Sequence, residues 1–108
     1  MTVHRLPLEP STIHGYFSRE LPPALTIDPG DSVRFQSLNS GWRWEPDAEL
    51  FERDASLHDG HALNGPIEVR GAREGQTLVV TVDELTPRGW GVNFGDGAVF
   101  SWALDGGV

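Results

Sequence analysis

The sequence contains no cysteine. Disulfides, thiolate zinc sites, blue copper and cysteine nucleophiles are excluded, while the redox compartment is left undetermined. Basic residues are few: eight against sixteen acidic ones, for a formal net charge of −8. That balance repels phosphate backbones and anionic lipid, so neither nucleic acid nor a membrane is an expected partner. Long apolar runs are missing as well. The first residues, MTVHRLPLEP, carry no signal-peptide core, and no segment approaches the ~18 apolar residues of a membrane-spanning helix. The expected location is cytoplasmic. Also absent are a Gly-x-Ser-x-Gly elbow, a Walker loop and a His-Glu-x-x-His pair, and none of the serines stands in a context that marks a nucleophile.

What is present is glycine and proline, thirteen and eight in 108 residues. Many turns favour an all-β architecture over a helical one. A chain of this length is expected to form one domain, residues 1–108, burying about 60–70% of the surface of its unfolded form. The expected fold is an antiparallel β-sandwich or distorted barrel of about seven to nine short strands with one irregular acidic loop.

The period-two stretches support this. Thr2–Leu8 reads as an edge strand ended by Pro7 and Pro10, and Ser11–Phe17 follows it, carrying His14. In PALTIDPGDSVRFQSL, Leu25 and Ile27 alternate with polar neighbours before Pro29-Gly30-Asp31, and Val33 and Phe35 alternate after it. This predicts a strand pair about a tight turn. Ile67–Val69 is entered from Gly65-Pro66 and leads through GAREGQ into Leu78–Val82, a run rich in β-branched residues. The two strand–turn segments look like a weak internal repeat. Further strands are expected at Val92–Phe94 and Ala98–Leu104 about a turn at Gly95-Asp96-Gly97, with Asp105–Val108 as a frayed end.

Between 39 and 64 the pattern breaks down. This stretch holds Trp42, Trp44 and six carboxylates, Glu45, Asp47, Glu49, Glu52, Asp54 and Asp59, with a helical turn or two expected over Pro46–Arg53. A connection of this length is expected to be mobile or functional.

HGYFSRELPPALTIDPGDSVRFQSLN followed by GHALNGPIEVRGAREGQTLVVTVDELTPRGWG resembles the amino-terminal part of the acetamidase/formamidase family, in wording and in motif order, over about Leu6 to Gly91. Members of that family are typically much longer, and their later His and acidic motifs lie outside this sequence. Asn39 stands where an acidic residue is expected. The resemblance implies hydrolysis of a small aliphatic amide such as formamide or acetamide to a carboxylate and ammonia. It also implies that this chain is incomplete as an enzyme, inactive alone, and completed by a companion chain carrying the carboxy-terminal part or by a homo-oligomer.

His14 and His61 stand at the mouths of the two motifs, each beside a glycine where backbone and ligand can approach closely. Imidazole serves as a general base or a metal ligand near neutral pH. These two are the candidate catalytic residues. Together with Asp31 they are the candidate ligands of a divalent metal, zinc or calcium, although no spacing matches a zinc signature. Asp31 also reads as a turn carboxylate accepting backbone N–H groups, and His4 as structural or solvated, while His58, three residues before His61, reads either as structural or, with Glu52, Asp54 and Asp59, as part of a mixed nitrogen–oxygen site for a divalent ion. Trp42, Trp44, Trp90 and Trp102 serve either core packing or a small-molecule wall. A non-catalytic β-sandwich module for binding or assembly is the alternative function.

Overall fold

Prolines and glycines cut the strands short, and the partners of those strands come from far along the chain. The computed structural model describes residues 1–95 and 98–103, with side chains through Asn93. The strands are β1 (Val3–Arg5), β2 (Ile13–His14), β3 (Leu25–Ile27), β4 (Ser32–Arg34), β5 (Leu63–Asn64), β6 (Ile67–Val69), β7 (Trp90–Gly95) and β8 (Ala98–Ala103). Among the described residues the only helical element is a 3₁₀ turn at Pro10–Thr12. The all-β expectation holds. The strands form four two-stranded ladders that do not close into a barrel. Two are antiparallel, β2 with β5 and β7 with β8, and two are parallel, β1 with β4 and β3 with β6.

The turn at Pro29-Gly30 forms as expected, with Gly30 at φ 87° and the Asp31 N–H donating to the Asp28 carbonyl at 3.1 Å. Its flanking strands, however, do not pair with each other. β4 pairs with β1, aligning Val3 with Ser32 and Arg5 with Arg34, and β3 pairs with β6. Side chains at the turn explain the divergence. Asp31 accepts from the Thr2 N–H and from His4 Nε2, pulling β1 onto β4. On the other side, Arg70 pairs with Asp28, and Thr26 donates to Glu68 at 3.2 Å.

The weak repeat therefore pairs with itself. Leu25 lies opposite Ile67 and Ile27 opposite Val69, and each strand runs into a positive-φ glycine, Gly30 or Gly71. Parallel pairing requires a long crossover, and this one contains β4, the acidic loop and β5.

Leu78–Val82 is a correction. It forms no ladder, and Leu78, Val79, Val80 and Val82 are 74%, 83%, 73% and 71% exposed. β-Branched composition fits a chain to a pleated, half-buried surface, but it does not supply the surface. The turn expected at Gly95-Asp96-Gly97 and the end at Asp105–Val108 reach outside the described residues.

The core sits where the acidic loop folds back. Ile13, Leu38 and Trp42 form its buried centre, with Leu8, Trp44, Phe51 and Ala62 packed against it. Trp42 is 1% exposed and adopts φ 65°, a conformation uncommon for a bulky residue. Asn39 holds it there: the Asn39 carbonyl accepts the Trp42 N–H at 3.0 Å, and its side-chain oxygen accepts the Arg43 N–H at 2.9 Å. Positive φ breaks the alternation expected of an extended segment, so Trp42 turns inward while Trp44 stays half-buried. No helix forms over Pro46–Arg53, where the chain makes turns instead.

Candidate functional site

β2 and β5 bring the two histidine motifs alongside each other. His14 lies opposite Leu63 and Ile13 opposite Asn64, which puts His61 two residues before the ladder partner of His14. Beyond the ladder the glycines meet. The Gly60 N–H donates to the Gly15 carbonyl at 3.1 Å. A Cβ on Gly60 would lie 2.4 Å from that oxygen, and one on Gly15 would lie 2.8 Å from the His58 backbone. The glycines flanking the two histidines thus allow backbone to meet backbone, leaving no room for a side chain.

His14 is 8% exposed, and its Nδ1 is buried with no hydrogen-bond partner. An orphaned ring nitrogen in a packed β-strand is costly and calls for a partner. His61, by contrast, is exposed. Asp31 lies in the β3–β4 turn rather than on the β2–β5 ladder. It accepts from His4 Nε2 at 2.8 Å and from the Thr2 and Asp28 N–H groups. The His4 hydrogen bond, then those two amides, lower its pKa from 3.8 to about 2.

His58, which the sequence groups with Glu52, Asp54 and Asp59, is a fixed part of this region. Its Nδ1 accepts the Gly15 N–H at 3.0 Å, its ring tilts against Tyr16 with centroids 5.0 Å apart, and its carbonyl accepts Arg53 Nη1 at 2.9 Å. The Arg53 guanidinium lies 4.8 Å from the Trp42 ring centroid, and Trp42 Nε1 donates to the Gly60 carbonyl at 2.8 Å. The signal in the sequence was the spacing His58-Asp59-Gly60-His61, in which the glycine that admits Gly15 carries His58 two residues upstream.

A cleft of about 450 Å³ opens here, lined by Pro10, Ile13, Glu52, Arg53, Asp54 and His58. The acidic loop thus supplies one wall. The Ser56 hydroxyl and then the Ser56 N–H hold the Asp54 carboxyl below the ordinary carboxylate range. An imidazole, a guanidinium and two carboxylates around one cleft can bind a small polar molecule and move a proton.

Among the described residues no group of three or more His, Cys, Asp or Glu side chains is placed to hold a metal ion. A zinc or calcium centre would draw donors from elsewhere, and no step is routed through one. Nor, among the described residues, is any helix long and apolar enough to cross a membrane.

Comparison with known proteins bears on the same residues. The chain is 32% identical over 92 residues to the acetamidase of Mycolicibacterium smegmatis, a match covering 82% of this chain and 23% of that protein. It is 31% identical over 86 residues to the formamidase of Methylophilus methylotrophus, covering 75% of this chain and 21% of that protein. The chain thus spans less than a quarter of the length of these relatives. No solved structure matches it to a significant degree. The family profile covers residues 3–108, running past Gly91, the end of the resemblance read from the sequence. The match takes in both histidine motifs, the β3–β6 repeat and the final strand pair, and on it the chain belongs to the acetamidase/formamidase family.

Proposed function

We propose that this chain forms part of a hydrolase of small aliphatic amides, which adds water across a carbon–nitrogen bond to give a carboxylate and ammonia. The observation that carries the reading is the unpartnered, buried Nδ1 of His14 in a chain of this family. In the proposed mechanism His14 exchanges a proton with the attacking water or the departing nitrogen, and His61, on the approach to β5, assists. The groups that polarise the substrate's carbonyl and the remaining acid–base groups come from polypeptide corresponding to the rest of the relatives' length. That polypeptide pairs with Leu78–Val82, whose apolar side chains are exposed on both faces and whose backbone makes no hydrogen bond to the described residues. A strand apolar on both faces suits the middle of a covered sheet.

Ammonia release tests this directly. The 108-residue chain alone, given formamide or acetamide with or without zinc or calcium, is expected to release none above background. Supplied with the remainder of a family member, it is expected to become active, and His14→Ala or His61→Ala is expected to abolish that activity. Release that survives both substitutions rejects the site assignment, and release by the chain alone rejects its incompleteness. A completed protein that stays inactive favours the alternative, a non-catalytic module for binding or assembly.

A further inference from the structure

A second cavity lies away from the histidines, where the segment entering β7 crosses Trp44. The Arg88 guanidinium stacks on the Trp44 ring at 3.4 Å from its centroid, and its Nη2 donates to Glu45 Oε1 at 2.6 Å. Stacking and the ion pair together fix the plane of the guanidinium, so the direction of its other nitrogen is fixed too. That nitrogen, Nη1, is buried without a partner, and so is the indole Nε1 of Trp90. Both residues line a cavity of about 190 Å³, with Ser37, Leu38 and Asn39 among the remaining walls.

Guanidinium and indole nitrogens donate and never accept. Two donors on two different side chains of its wall are therefore left without an acceptor. Burying either donor unpaired is unfavourable, and burying both beside one cavity calls for an occupant that satisfies them together. We propose that this cavity binds a small monocarboxylate.

Two oxygens on one carbon can take Arg88 Nη1–H and Trp90 Nε1–H at once, and the charge-assisted bond to arginine is the stronger of the two. Leu38 and Trp44 provide apolar wall for a short alkyl group. The volume corresponds to about six waters at their liquid share of ≈ 30 Å³, which accommodates acetate. Glu45 already neutralises part of the arginine charge, so a singly charged ligand suits the site better than a multiply charged one. The proposal concerns binding and rests on this geometry alone. It stands whether or not the chain hydrolyses amides.

The indole N–H of Trp90 reports on the site. In a ¹⁵N-labelled chain its cross-peak, assigned through Trp90→Phe, should move saturably as sodium acetate is added at constant ionic strength. Sodium chloride should leave it in place, and acetamide, similar in size but neutral, should move it only at higher concentration. Arg88→Lys keeps the charge but loses the fork, and should weaken the response about tenfold with the rest of the spectrum unchanged. If Arg88→Lys does not fold, the unsubstituted chain decides, with the other indole signals as internal controls. The proposal is overturned by a Trp90 signal indifferent to acetate, by an equal response to chloride or acetamide, or by a folded Arg88→Lys chain that responds like the original.

Discussion

Gly60 carries a steric demand that conformational freedom does not explain. Its Cβ position lies 2.4 Å from the Gly15 carbonyl oxygen, a rigid backbone atom, so Gly60→Ala must push β2 away from the segment leading to β5. Overpacking of this kind costs about 1–3 kcal/mol, and urea unfolding should show a loss in that range. A cost near zero would mean that the two motifs are not in contact. Asp31 makes a separate prediction, about pH. Its folded pKa, about 2, lies below the ordinary 3.8, so its contribution is complete above pH ~4 and is lost as pH falls through the folded value. The melting temperature of the original chain minus that of Asp31→Asn should therefore be constant above about pH 5 and shrink between about pH 4 and pH 2. A difference that does not change with acid would show that His4 and Thr2 do not hold this carboxylate in solution.

At the scale of elements, the acidic loop, expected to be mobile or functional, carries in Trp42 the centre of the core. Trp42→Ala should cost about 3–5 kcal/mol, as for other large aromatic residues removed from a core, and a value under about 1 kcal/mol would put the loop back in solvent. The short strands were legible where turn residues bracket alternation: Leu25–Ile27, Ser32–Arg34 and Ile67–Val69 fall where Pro29-Gly30 and Gly65-Pro66 place them. Their partners were not legible. Strand alternation records which face is buried and says nothing of which distant edge is adjacent, so a tight turn at Gly30 implied a hairpin that Asp31 and Asp28 pull apart. The inward turn of Trp42 was hidden because it depends on positive φ at a tryptophan, which no local pattern announces. Of the candidate site, the glycines beside His14 and His61 marked a close approach, which is of backbone to backbone. The Arg88–Trp44 stack joins residues 44 apart in sequence and was not legible.

For the whole molecule, surface bears on the proposal that this chain works as part of a larger protein. The chain exposes 8522 Å², whereas a folded monomer of its 11.9 kDa mass exposes about 5,900 Å². Its radius of gyration is 16.0 Å, against about 13 Å for a compact domain of this length. Leu78, Val79, Val80, Val82 and Leu85 form one stretch of large apolar side chains that are all exposed. A second copy could pair along the edge of that segment, but its two apolar faces would still need cover from other layers. Polypeptide equivalent to the rest of the relatives can cover the edge and both faces. Val80 tests this because it is 73% exposed. Val80→Glu should change the stability of the chain alone by no more than about 0.5 kcal/mol, as at other exposed positions, yet prevent a 1:1 complex with the family remainder in sedimentation experiments. Complex formation unaffected by Val80→Glu would remove this segment from the interface. Alone, the chain should sediment as a monomer, and a dimer abolished by the same substitution would assign the segment to a second copy.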